Sequence, residues 1–198
     1  MKYVLISSGG EGLYKEKGSK FLSFAYPLTH KGHAKELIAE IKSLYFDANH
    51  YCYAYLYGLD TPSLGIHDDG EPKHSAGDPI LGQIKSFNVS NALVVVVRYF
   101  GGTKLGVGGL SNAYRQAAAA ALTQAVLMPY IEKKRFKVFY DYDQTKLLLS
   151  LFRDYEPEII EKEYLQKCWM VVDVKKEQAT AFKDRLHRNE FQLTEDVK

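Results

Sequence analysis

The residues best suited to chemistry fall in two loops. The first is Tyr99-Phe100-Gly101-Gly102-Thr103-Lys104-Leu105-Gly106-Val107-Gly108-Gly109-Leu110. It follows the apolar run Ala92 to Val97 and precedes the alanine-rich segment Ser111 to Leu127. A strand, a glycine loop and a helix in that order aim free backbone N–H groups at an anion. Arg98, Gly101, Gly102, Thr103, Lys104, Gly106, Gly108 and Gly109 are therefore the candidate ligands for a phosphate or a nucleic acid. Gly101 and Gly106 have the spacing of a Walker A loop, but Val107 stands where its lysine belongs. Gly106 and Gly108 open a dinucleotide fingerprint in which Ser111 replaces the third glycine. Neither common nucleotide loop is present. The other reading of these glycines, as left-handed turns and tight strand–helix packing, stays open.

The second loop, His67-Asp68-Asp69-Gly70-Glu71-Pro72-Lys73-His74-Ser75-Ala76-Gly77-Asp78, holds two imidazoles and four carboxylates. His67, Asp69 and His74 could ligate a metal. Asp68 or Asp69 with Glu71 could do acid–base work. The competing reading is a turn: Asp69-Gly70 is a turn dipeptide, Pro72 stiffens it, and Asp78 is placed to cap a helix. His50, Asp68, Asp69, Glu71, Lys73 and His74 form the second part of the candidate site. No Ser or Cys lies in a nucleophile motif, so no catalytic residue is assigned. No cofactor and no metal is expected.

The elements that would position these loops are legible from periodicity. Lys17 to Leu28 alternates as a strand. Thr29 to Asp47 has helical spacing at Ala34, Leu37, Ile38, Ile41, Leu44 and Tyr45. His50 to Tyr57 sets tyrosines 51, 53, 55 and 57 on one strand face. Gly58 to Asp78 reads as a polar loop, Pro79 to Phe87 as a short helix, and Asn91 to Tyr99 as a buried strand. Ser111 to Leu127 is a helix broken by Met128-Pro129. Beyond it come a strand Lys134 to Tyr142, a helix Asp143 to Tyr155 capped by Asp143, strands Glu158 to Tyr164 and Lys167 to Val174, a helix Lys176 to Arg188 and a strand Glu190 to Thr194. That is the ferredoxin-like βαββαβ order. The chain reads as α+β with two domains, 1–128 and 132–198.

Composition limits the function classes. With 26 basic and 24 acidic residues the net charge is +2. Of these, 12 basic and 10 acidic residues precede Pro129, leaving 14 and 14 after it, so neither half is a polycation. Any polyanion site must come from local clustering and backbone groups. The apolar run 92–97 is far shorter than the ~20 residues that span a bilayer. No secretory leader is expected. Cys52 and Cys168 read as buried, reduced thiols. A cytoplasmic protein without a membrane partner is the expectation.

Asp68-Asp69-Gly70-Glu71-Pro72, Ala76-Gly77 with Pro79-Ile80-Leu81, and the run Val94 to Gly106 with Gly108-Gly109-Leu110 and Ala113-Tyr114 resemble the IMPACT family. Lys20-Phe21 and Asn49-His50 fit its earlier signature. The resemblance covers about residues 15–127. The tail resembles the second domain of bacterial members, which is similar to a ferredoxin-like domain of elongation factor G. The resemblance implies, for the N-terminal domain, a two-layer α/β fold like the second domain of a small-subunit ribosomal protein. It also implies a link to translation, since eukaryotic relatives are translation regulators. RNA or the ribosome, or a protein partner in translation, are the expected partners. An enzyme acting on a phosphorylated or nucleotide small molecule, and a protein-interaction module built on the tyrosine-rich sheet, are the alternatives. Two departures stand out: the family usually reads Ser-Gly-Thr where this chain has Lys73-His74-Ser75, and usually carries Arg where Asn112 stands.

Overall fold

The computed structural model describes residues 3–59, 61–164 and 168–195. The chain divides into a unit Met1–Tyr130 and a unit Ile131–Lys198. The first contains β1 (Val4–Ser8), β2 (Gly10–Glu16), β3 (Ser19–Pro27), α1 (His33–Leu44), β4 (His50–Tyr57), β5 (Ser63–His67), α2 (Gly77–Ser86), β6 (Ala92–Tyr99), α3 (Gly106–Gln124) and β7 (Val126–Pro129). Five strands form an antiparallel sheet in the order β2-β3-β6-β4-β5, and β1 pairs with β7 beside it.

The valine run of β6 is apolar throughout because both its faces are buried. Ala92, Val94 and Val96 face α2 and α3, while Leu93, Val95 and Val97 face α1. The unit thus has three layers, with helices on both faces, in place of the two expected. The reason is in β4. Its four tyrosines and the apolar face of α1 bury one another, so that side of the sheet cannot be left to water. On the other side, alanines 113, 117, 118 and 121 let α3 lie close to the sheet. Gly12 completes that approach: a Cβ there would stand 2.7 Å from the Ala121 nitrogen. Ser23 ties the layers together by donating its hydroxyl to the Ala117 carbonyl at 2.6 Å.

Several boundaries move from those expected. The helix after the glycine loop begins at Gly106, inside the loop, and not at Ser111. The supposed loop 58–78 contains β5, which pairs with β4. Lys17 and Gly18 are not strand but a two-residue hairpin turn, both at positive φ, which matches the twist of the flanking strands.

The second unit has the order β8 (Lys133–Tyr140), α4 (Thr145–Tyr155), β9 (Glu158–Tyr164), β10 (Cys168–Lys175), α5 (Lys176–Arg188), β11 (Gln192–Glu195). Its sheet runs β11-β8-β10-β9, all antiparallel. Alternation in β8 and β10 buries Phe136, Val138, Met170 and Val172 against Leu148, Phe152, Phe182 and Leu186 of the two helices. Asp143 does not cap α4; the short turn that leads into it is capped by Asp141. Asp141 and Gln144 exchange side-chain and backbone bonds in a capping box around the short turn Tyr142–Gln144, satisfying donors that Asp143, one position inside the turn, cannot reach. Lys167, where the third strand was expected to begin, lies outside the described residues. Both cysteines are buried and free, and no helix among the described residues is long and apolar enough to cross a membrane.

Candidate anion-binding loop and its carboxylate scaffold

The glycine loop is fixed at its entry and open beyond it. Where β6 ends, the Phe100 N–H donates to the Asn49 side-chain carbonyl at 2.7 Å, and the Gly101 N–H donates to the Ser19 hydroxyl at 3.1 Å. Gly101 presses against the β2–β3 turn: a Cβ on it would lie 1.9 Å from the Gly18 carbonyl carbon. Only glycine permits that approach. From Gly102 to Gly108 the backbone is exposed apart from half-buried Leu105. Gly102 and Gly106 have φ of +86° and +71°, and a Cβ at Gly108 would touch nothing. Gly108 therefore meets no demand of packing or dihedral angle. α3 starts here with no side-chain cap and no acid in its first turn, so its leading N–H groups and the positive end of its dipole face outward. Thr103 and Lys104 are exposed beside them.

Arg98 does not join this exposed surface. It points to the α2/α3 side, 5% exposed, and its Nη1 donates to Glu71 Oε1 at 2.5 Å. The same oxygen accepts the Tyr114 hydroxyl at 2.7 Å and has His50 Nε2 at 3.9 Å. Arg98 Nη2 reaches Ser19 at 3.4 Å, and the guanidinium lies 5.3 Å and 5.5 Å from the ring centres of Phe21 and Phe100. The two loops thus meet at a buried ion pair. Arg98, a candidate phosphate ligand from its place in the sequence, is here an internal anchor.

Each carboxylate of the second loop is likewise committed. Asp68 accepts the N–H groups of His74 at 2.9 Å, Ala76 at 3.0 Å and Gly77 at 2.8 Å. Burial pushes its carboxyl up, but the bonds from Gly77, His74 and Ala76 outweigh that and hold it below the usual range. Asp68, and not Asp78, is thereby the residue that satisfies the start of α2. Asp69 accepts the Tyr51 N–H at 2.8 Å and lies 3.7 Å from Lys42. The Asp69 carbonyl accepts His50 Nδ1–H at 2.8 Å, which fixes the proton on that nitrogen. Asp78 pairs with His74, and His67 lies 3.7 Å from Asp69. No group of three or more His, Cys, Asp or Glu among the described residues is arranged to hold a metal. Lys73 and His74 are exposed. Cys52 is buried and donates its thiol to the Asp68 carbonyl at 3.0 Å, and burial pushes that thiol well above the ordinary value. Burial does the same to Tyr114.

The arrangement is thus a carboxylate scaffold holding up a backbone surface. The sequence reading missed Ser19, which braces both Arg98 and Gly101 from about 80 residues away, and no local pattern advertises it.

Residues 17–122 match the family model described as the Impact N-terminal domain. The chain belongs to the IMPACT family. The matched span contains both loops, Ser19 and α3 up to Leu122. An IMPACT family member of Haemophilus influenzae is 32% identical over 172 residues, covering 86% of this chain and 84% of that protein. One of Bacillus subtilis is 28% identical over 185 residues, covering 92% and 84%. A crystal structure of a hypothetical protein superposes with a TM-score of 0.69 at 27% identity, covering 100% of this chain and 98% of that one. The likeness to IMPACT family members therefore runs through both units.

Proposed function

We propose that this IMPACT family protein is a cytoplasmic, translation-associated regulator that binds RNA, free or in the ribosome, through the glycine loop. The carrying observation is the open backbone from Gly102 to Gly108 at the uncapped start of a 19-residue helix. Phosphates meet the N–H groups of that turn, and Lys104 adds a charge. The link to translation rests on the family resemblance. The pairing of Arg98 with Glu71 assigns it to holding the loop and leaves phosphate contact to Lys104 and the backbone. The commitment of Asp68, Asp69 and Glu71 to internal bonds favours binding over acid–base chemistry.

Gly108→Ala separates packing from binding. In a helix, alanine is better than glycine by about 0.5–1 kcal/mol, and the new methyl meets no neighbour. The variant should be at least as stable as the parent yet bind RNA more weakly, because the methyl blocks close approach. Lys104→Ala should weaken binding and flatten the salt slope by about 0.7 for single strands. RNA titrations at several salt concentrations measure both. Parent-like affinity and slope in both variants would overturn the assignment.

A further inference from the structure

The face of the first sheet that carries α1 is covered only in part. α1 packs over Phe24, Leu93, Val95 and Val97. Toward the glycine loop, strand register sets Lys15 opposite Lys20 and Lys20 opposite Tyr99. The next row inward sets Leu13 opposite Leu22 and Leu22 opposite Val97. Leu13 remains 50% exposed. Leu13, Leu22, Lys15, Lys20, Tyr99 and Phe100, with Gly18 and Asp47, line a groove of about 540 Å³. That volume falls within the range of about 300–1,000 Å³ typical of ligand sites.

The chemistry of the groove points to one kind of occupant. Lys15 and Lys20 are directly opposed like charges, an arrangement that destabilises a sheet. Neither takes part in an ion pair among the described residues. An anion between them would remove the repulsion. The aromatic residues beside them are anchored: Tyr99 donates its hydroxyl to Asp47 at 2.8 Å, and the Phe100 backbone N–H donates to Asn49 while its ring lies 5.5 Å from the Arg98 guanidinium. Phe100 is still 46% exposed. Aromatic rings beside paired cations are what a single strand uses, with bases stacking and phosphates meeting lysines. A duplex keeps its base faces inside and offers nothing to the rings.

We propose that this groove binds single-stranded RNA, with phosphates at Lys15 and Lys20 and a base against Phe100 and Tyr99. The proposal takes the polymer from the RNA reading above but places it on residues that reading does not use. Because Gly18 and Phe100 border both the groove and the glycine loop, a strand leaving the groove meets the loop's N–H groups next.

The test uses the full chain and a fluorescein-labelled 12-nucleotide oligouridine, with adenosine monophosphate and a 12-base-pair RNA duplex as competitors. Lys15→Gln with Lys20→Gln removes a repulsion, so the fold should hold, as thermal melting will show. The salt slope should fall by about 1.4, twice the single-strand increment. Phe100→Leu keeps apolar bulk and should weaken binding about tenfold with the slope unchanged. Loss of binding in the groove variants with Gly108→Ala parent-like supports the groove and refutes the loop. Loss in Gly108→Ala with the groove variants parent-like refutes the groove and spares the loop. No oligouridine binding by the parent refutes both. Equal competition by the monophosphate or the duplex refutes the single strand as occupant.

Discussion

Glu71→Ala is the sharpest probe of the scaffold. It removes the carboxylate partner of a guanidinium that is 5% exposed and leaves the buried Tyr114 hydroxyl without its acceptor. Breaking a buried pair by deleting one partner costs about 3–5 kcal/mol, because the remaining charge is stranded away from water. Loss of the Tyr114 bond belongs to the same disruption, since one oxygen serves both donors, so the two are not summed. For a unit of 130 residues each kcal/mol lowers the melting temperature by roughly 4 °C, giving a drop of about 12–20 °C. Arg98→Met should cost a similar amount by stranding Glu71. The double variant Glu71→Ala, Arg98→Met should recover part of the loss, since no charge is left stranded, while the Tyr114 hydroxyl still lacks its acceptor. Urea unfolding followed by circular dichroism gives all four corners of the cycle, with unchanged m-values as the check that the denatured state is the same. A cost below about 1 kcal/mol for Glu71→Ala, or additive single-variant costs, would refute the view that this pair holds the two loops together.

Other outcomes follow from the electrostatics and the backbone. In the second unit Glu195, hydrogen-bonded by Lys134 and Lys183, has its carboxyl pulled down to about 2, and Arg135 holds Asp173 below its usual range. Folded values below the unfolded ones mean that this stabilisation is complete above about pH 4 and is lost as pH falls through the folded values. Trp169, the chain's only tryptophan, should therefore report falling stability in urea between about pH 4 and 2, a trend that Glu195→Gln should flatten; a pH-independent midpoint would contradict it. At His74, where φ is +63°, His74→Gly should stay close to the parent in stability. His74→Val should fall below His74→Gly by about 1–2 kcal/mol, as a β-branched side chain is poorly tolerated there, and equal stabilities would exclude the left-handed conformation.

What the sequence discloses depends on how local the cause is. β4 and α5 fall at the expected residues because tyrosine alternation and the spacing of Ala179, Phe182 and Leu186 are read within one segment. β2 was invisible: its glycines look like breakers, yet a Cβ at Gly10 would stand 2.3 Å from the Ala121 carbonyl oxygen, so they exist for the helix above. The site divides the same way. The open loop and its lysine were legible as a strand–glycine–helix succession. The roles of Glu71 and Arg98 were not, because each is set by a partner distant in the chain; nor was that of Asp68, whose partners are near in sequence, because a carboxylate free for chemistry looks the same in a sequence as one that caps a helix.

The departures from the family pattern bear on the site through this division between scaffold and surface. The family's Ser-Gly-Thr falls on Lys73, His74 and Ser75. The middle position has φ of +63°, which explains a glycine there. Histidine is tolerated because its N–H is held by Asp68 at 2.9 Å and its ring by Asp78. The third position keeps its hydroxyl: buried Ser75 donates to the Pro72 carbonyl at 2.6 Å, as threonine could. The bonds that shape the loop are therefore retained, and what changes is outward chemistry, a lysine and an imidazole added at exposed positions. Asn112 is also exposed, on α3, so replacing the usual arginine there removes surface charge without touching the core. The substitutions thus redistribute cations around an unchanged frame. That is the pattern expected when the frame serves to present backbone N–H groups and the surrounding charge adjusts how strongly a polyanion is held.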